Sequence, residues 1–379
     1  MTIAVISMIR DSWGGSEELW YQMANEALQQ GHRVIHLGFE HPVIHPKMEE
    51  LQNMGLERFT RPGWVPPEAG NKKIFYLGWN FVRKRIKDPL SKIFKLAPDI
   101  IVYNGTCYSI AAEKSLVNYV AQINNRSKFF ILGHLNNQFD RCITETEAQV
   151  IRKAYQLARN VFFVSQRNLD TAKRHLCSPI NNGEIVQNPV NMASVDPIAF
   201  PAIAKAVQLA LVGNLVASHK GQDILFHTLA LWQQDNWHLN IYGKGPDLFY
   251  LKNLASFLGI QNKISFHGSV SNIRMIWEQN HILLMPSLLE GMPLAVVEAM
   301  LCRRFCIATD VGGHKEWIQH GVNGFIAAAP TIASLRQALD QAWAVREKWQ
   351  IIAEQARQTA MDRFDPNAGA TFLRRIIAE

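Results

Sequence analysis

Two glutamates, Glu290 and Glu298, are separated by seven residues in the stretch 281–300, HILLMPSLLEGMPLAVVEAM. The sequence changes character twice around them. Residues 281–285 are a short apolar run that reads as a buried strand. Residues 286–292 read as a turn holding Ser287, Glu290 and Gly291. From Pro293 the pattern is helical, with the proline at the first helical position and good helix formers behind it. A helix start leaves backbone N–H groups unpaired and carries partial positive charge. Strand, glycine turn and helix together therefore make a site for an anion. Glu298 lies inside this helix among Leu294, Val296, Val297, Ala299 and Met300. A helix that is apolar on every face is expected to be buried, and a lone carboxylate there is costly without hydrogen bonds. Two kinds of partner satisfy it: an amide or arginine of the protein, or a pair of vicinal hydroxyls such as those of a ribose.

Other candidate side chains stand where strands end, the place at which ligands gather in an open parallel sheet. Asn104 follows the apolar run 99–103, and His134 follows the run 129–132 in ILGHLNN. Such a histidine can meet a ligand or bond to a neighbouring loop. Ser165 closes NVFFVS and reads as the N-cap of the helix after it. Gly14 and Gly15 follow the first strand, 2–8, in RDSWGGSE. A glycine pair lets a loop approach a ligand closely, and it equally makes a tight turn and no more. It is not the G-x-G-x-x-G fingerprint of dinucleotide sites.

The elements that must hold these residues alternate between strand and helix. A helical pattern through Leu19, Met23, Ala27 and Leu28 ends at Gly31, and a strand at 33–37 completes a β-α-β unit. Further strands are expected near 160–165, 208–213, 239–242, 264–268 and 306–308. Prolines and small residues dominate 189–201 and mark a linker. The division that follows is a first domain at 1–190, a linker at 191–206 and a second domain at 207–365. The chain closes with a helical piece after Pro366.

With 379 residues there is room for two cores. No apolar run reaches the roughly 18 to 20 residues that span a bilayer, and the N-terminal apolar run is too short for a signal peptide. Five cysteines, odd in number and mostly far apart, suit free thiols in a reducing compartment. The net charge of +7 points to an acidic partner: nucleic acid, anionic lipid or a nucleoside diphosphate. His32, His36, His41 and His45 give only a weak metal signal, because Pro42 and Pro46 break any helix that would align the last pair and no carboxylate sits at ligand spacing; solvated or hydrogen-bonded histidines are expected. Residues 72–98 carry eight basic residues against one acidic, interleaved with aromatics. Such a stretch lies on an anionic membrane surface or packs its apolar face on its own domain.

Glu290 and Glu298, with Gly291 and Pro293 between them, resemble the EX7E motif of retaining glycosyltransferases of family GT4, which have the GT-B fold. The resemblance runs in order from the Gly14-Gly15 loop to Phe325. It implies two Rossmann-like α/β domains facing across a cleft, with the C-terminal helix 366–379 crossing back to the first. The implied reaction moves a sugar from a nucleotide-sugar to a hydroxyl on a glycan or lipid-linked acceptor, with retained configuration. In the resemblance Glu290 holds sugar hydroxyls, His134 donates a hydrogen bond to the donor sugar, and Lys220 neutralises the leaving diphosphate. Gly15, Asn214, Val270, Gly291, Met292, Pro293, Leu294 and Glu298 contact the donor, with Glu298 on the ribose and Val270 at the base. Gly14, Asn104 and Ser165 lie on the acceptor side. No Asp-x-Asp pair occurs, so neither a bridging metal nor a cofactor is expected. A cytoplasmic enzyme, peripheral on the membrane, is implied. Two departures stand out: Asn214 replaces the family's phosphate-binding arginine, and Arg303 and Phe305 replace a small residue and a proline. The first keeps open a GT-B subunit that binds without transferring. Epimerisation of a nucleotide-sugar on the same fold fits the motif order less well. A nucleic-acid binder lacks any RRM, KH or helix-turn-helix signature.

Overall fold

In a computed structural model the chain divides into two compact units, Met1–Pro189 with Asp365–Glu379, and Val190–Phe364. The structure describes all residues except 10–12, 64–73, 77, 80–81, 84–88, 124–125, 137–142, 193, 204 and 379.

The first unit is built on a parallel sheet of β1 (Thr2–Ser7), β2 (Arg33–Phe39), β3 (Glu57–Arg61), β4 (Ile100–Gly105), β5 (Lys128–Gly133), β6 (Asn160–Phe163) and β7 (Gly183–Ile185). Their order is β3-β2-β1-β4-β5-β6-β7. β1 and β4 are apolar and almost wholly buried, as strands covered on both faces must be. The order reverses at β1, which lies between β2 and β4. Register there pairs Ser7 with Asn104 and, one strand over, Gly105 with Gly133. Three polar chain positions, Ser7, Asn104 and His134, thus meet at the carboxyl end of the sheet. β3, ERFTR, is an edge strand that the sequence pattern does not announce, because it is mostly polar.

The second unit repeats the plan with β8 (Val207–Val212), β9 (Trp237–Tyr242), β10 (Ile264–Gly268), β11 (Ile282–Met285), β12 (Phe305–Thr309) and β13 (Gly324–Ala327). These run in the order β10-β9-β8-β11-β12-β13, all parallel. Residues 194–199, read as linker from their prolines, are tied to this unit. Arg357, Arg274 and Arg304 donate to the carbonyls of Val195, Asp196 and Ala199 at 2.7, 2.8 and 2.8 Å.

The final helix, Ala368–Ala378, packs on the helix Glu18–Gln29 of the first unit. Gly369 permits the approach, since a Cβ there would stand 2.4 Å from the Cβ of Gln22. Arg303, in the place of the family's small residue, has a left-handed backbone with φ 62° and pairs with Glu354 at 2.5 Å. That conformation explains why a glycine suits the position.

The basic stretch 72–98 lies partly outside the described residues. Within it Ile74, Phe75, Trp79 and Val82 are exposed, while Leu90 and Ile93 of the helix Leu90–Lys95 are buried. No described helix is long and apolar enough to cross a membrane.

Candidate functional site

In the second unit β11 delivers the chain into the turn 286–292, and the helix Leu294–Leu301 follows. Pro293 is the N-cap of that helix, which starts at Leu294, one residue later than the pattern suggests. Leu294 donates its N–H to the Met292 carbonyl at 3.0 Å, so this amide is already engaged. The expectation that it stands open to an anion is corrected by that turn hydrogen bond.

Glu290 is buried and ion-paired. Lys220 Nζ lies 2.6 Å from its Oε1, and Ser287 Oγ donates to the same oxygen at 2.7 Å. Burial raises the carboxyl, but Lys220, the nearby His314 and the Ser287 hydrogen bond outweigh it. Glu290 therefore stays below the ordinary carboxylate range. Two glycines make the pairing possible. Gly221, next to Lys220, has φ 63°, and a Cβ on it would stand 2.2 Å from the Pro286 carbonyl oxygen. Gly312 has φ 49°, and its Cβ would stand 2.3 Å from the Glu290 carbonyl oxygen. The loop after β12 is fastened by Gly313 N–H to Gly291 O at 2.9 Å.

Glu298 is buried in the helix, as its apolar neighbours require. Burial alone raises its carboxyl to about 7, and among the described residues no hydrogen bond reaches it. No described arginine or amide answers it there. Asn214 is exposed at the end of β8; its backbone carbonyl accepts from Gln222 at 2.9 Å. Val270 is half-buried just after β10.

In the first unit Asn104 and His134 are both buried, and His134 Nε2 lies 2.6 Å from Asn104 Oδ1. Burial holds the imidazole down to about 3, so it is neutral. Ser165 caps the helix Gln166–Leu176, accepting from Asn168 N–H at 3.2 Å. Among the described residues a Cβ on Gly14 would meet only Ser16 Oγ, at 3.9 Å. Gly15 lies in the turn before the helix Glu18–Gln29. His36 corrects the expectation of a solvated or hydrogen-bonded histidine. It is buried, neither ring nitrogen has a partner among the described residues, and the ring stacks on Trp20 at 4.6 Å. Among the described residues no three His, Cys, Asp or Glu side chains could hold a metal.

The structure thus brings Lys220, Glu290, Gly291 and Glu298 into one strand-turn-helix site, and Asn104 with His134 into another at the first sheet. Sequence reasoning missed Gly312 and His314, a fully buried histidine whose Nδ1 bonds the Thr309 carbonyl at 2.7 Å. It also missed Glu17. That residue stands at the N-cap of its helix without capping it, a carboxylate one place past Gly14-Gly15-Ser16 that turns into the core instead.

Residues 200–359 match the family model of glycosyl transferases group 1. An uncharacterized glycosyltransferase of Haemophilus influenzae is 34% identical over 135 residues, 34% of this chain and 37% of that one, so the match spans well under half of that relative. A phosphatidylinositol N-acetylglucosaminyltransferase chain of Homo sapiens is 28% identical over 89% of this chain and 68% of its own. Among solved structures, Anabaena Alr3699/HepE in complex with UDP has a TM-score of 0.76 at 20% identity, covering 100% of both chains. The likeness establishes the GT-B fold. Together the comparisons support a glycosyltransferase.

Proposed function

We propose that this protein is a retaining, metal-independent glycosyltransferase of family GT4 that moves a sugar from a nucleotide-sugar to a hydroxyl of a glycan or lipid-linked glycan. The carrying observation is the buried Glu290, paired with Lys220 and followed in the same strand-turn-helix by a buried Glu298 that no described donor reaches. A nucleotide-sugar answers both features. Its diphosphate meets the Lys220 ammonium, which stabilises the charge that grows on the leaving group. Its ribose hydroxyls donate to Glu298, and its sugar hydroxyls meet Glu290. The family resemblance gives His134 a hydrogen bond to the donor sugar.

UDP is the first nucleotide to test, since a solved structure of the same fold holds it. In a thermal-shift screen of UDP, GDP and ADP, one nucleotide raises the melting temperature, because a ligand of the folded state stabilises it by mass action. The matching labelled nucleotide-sugar is then turned over in the presence of EDTA. No shift with any nucleotide overturns the site; loss of turnover in EDTA, restored by magnesium or manganese, overturns metal independence. Asn214, exposed where the family carries an arginine, favours a second reading as a non-catalytic protein that binds a nucleotide-sugar. Thermal stabilisation without turnover or hydrolysis selects it. We further propose a cytoplasmic protein peripheral on an anionic membrane, supported by the exposed Ile74, Phe75, Trp79 and Val82 amid basic sequence. Equal flotation with neutral and anionic vesicles removes that part.

A further inference from the structure

The first sheet carries a buried chain of hydrogen bonds that leads from Glu17 to His134. Ser7 Oγ donates to Glu17 Oε1 at 2.9 Å. Trp20 Nε1 donates to Glu17 Oε2, and Asn104 Nδ2 donates to the same oxygen at 3.1 Å and to Ser7 Oγ at 3.2 Å. The other end of the Asn104 amide, Oδ1, faces His134 Nε2 at 2.6 Å. All five residues are buried, and His134 Nδ1 has no partner among the described residues.

We infer that Glu17 is a positioning residue for His134: acting through Asn104, it fixes the imidazole with its proton on Nε2 and leaves Nδ1 as a hydrogen-bond acceptor. An indole N–H can only donate, so Trp20 makes Glu17 Oε2 an acceptor. The amide end beside Oε2 must then be the N–H₂ end, because the flipped amide would set two acceptor oxygens about 3 Å apart. That orientation turns the Asn104 carbonyl to His134, and a carbonyl 2.6 Å away requires N–H on Nε2. A neutral imidazole has one N–H, so Nδ1 is bare.

The chain holds in either protonation state of Glu17. Burial raises that carboxyl to about 7. When it takes a proton, the free place is Oε1, where the Ser7 hydroxyl can turn and accept, while Oε2 stays an acceptor under Trp20. The histidine therefore offers an acceptor to whatever group meets its free nitrogen, the reverse of the donating role that the family resemblance implies. That the group is a sugar hydroxyl, and not an ether or phosphate oxygen, rests on the glycosyl-transfer reading; the tautomer does not.

The test reads the tautomer in the full chain without substrate, so it can fail or succeed apart from the proposed reaction. Protein labelled with ¹⁵N-histidine is examined by long-range ¹H–¹⁵N correlation at neutral pH, with the His134 pattern assigned by its loss in H134N. A protonated Nε2 and a bare Nδ1 are expected. In E17M no acceptor stands beside the Asn104 amide, which is then free to flip, and His134 is expected to pass wholly or partly to the Nδ1–H form. The double variant E17M/N104D puts an acceptor-only group beside Nε2 again and should restore the first pattern. A wild-type His134 that is Nδ1–H or doubly protonated overturns the inference. So does an E17M pattern identical to wild type. If E17M does not fold, the wild-type spectrum and the double variant still decide.

Discussion

The two units handle a buried carboxylate in opposite ways. In the second, Glu290 has an ammonium 2.6 Å away and stays a fixed charge. In the first, Glu17 is surrounded by neutral donors, with no described cation bonded to it, and its carboxyl rises to about 7. A fixed ion pair suits a place where charge must be met, since the cation can shift toward an arriving anion. A carboxyl held by neutral donors suits a place where geometry must be kept, since its hydrogen bonds persist whether or not it holds a proton. The same α/β plan thus carries an electrostatic site on one sheet and an orienting site on the other.

The contrast breaks most sharply at Lys220. In K220M the Glu290 carboxylate loses its partner and should behave like Glu17, its pKa rising. Sugar transfer should fall by roughly two to three orders of magnitude in kcat, the usual effect of removing a charge that stabilises a leaving group. Steady-state kinetics with the nucleotide-sugar found by thermal shift check this; a change confined to KM would assign Lys220 to ground-state binding alone.

The pH dependence of stability sharpens the contrast, because the signs differ. Glu17 and Glu298 are raised from 4.5 to about 7 in the folded chain. Folded protein keeps protons there that the unfolded chain has released, so their stabilising contribution is full below about 4.5 and lost as pH rises through about 7. Each can contribute on the order of 3 kcal/mol across that window. Glu290 is lowered, so its contribution is present above 4.5 and lost as pH falls through its folded pKa. Urea unfolding between acid and neutral pH should show E298Q removing part of the decline at the neutral end, with E290Q lowering stability at neutral pH and removing the decline at the acid end.

A smaller effect is expected from S287A, which takes one hydrogen bond from the paired carboxylate and should cost about 1.5 to 3 kcal/mol. The urea midpoint reads it directly. The smallest is R303G. Glycine relieves the left-handed backbone there, worth about 1 to 2 kcal/mol, and forfeits an exposed ion pair with Glu354 worth under about 1. A net gain is expected in the melting temperature.

What could be read in the sequence differs between the two units for a physical reason. The strand, turn and helix around Glu290 and Glu298 are contiguous, so apolar runs, glycine and proline mark them without any tertiary knowledge. Even Lys220 could be reached only through resemblance, because its partner lies 70 residues on. The Glu17 chain joins β1, a helix start, β4 and the residue after β5, across sequence separations of 87 and 97 residues. No local pattern encodes such a meeting; strand register does. His314 was invisible for the same reason, since only the fold makes it fully buried. The strand β3 was missed because an edge need not be apolar. Residues 194–199 were read as linker because proline content says nothing about which arginines bind the carbonyls.

The helix Ala368–Ala378 has a consequence for handling the molecule. Because it docks on the first unit, the second unit is joined to the rest by two covalent strands, one near Pro189 and one near Phe364. A protease that nicks either crossing leaves a two-piece assembly still clasped by the remaining one and by the docked helix. Fluorophores fixed near the start of β1 and on that helix would both ride on the same half, so neither alone reports movement of the other.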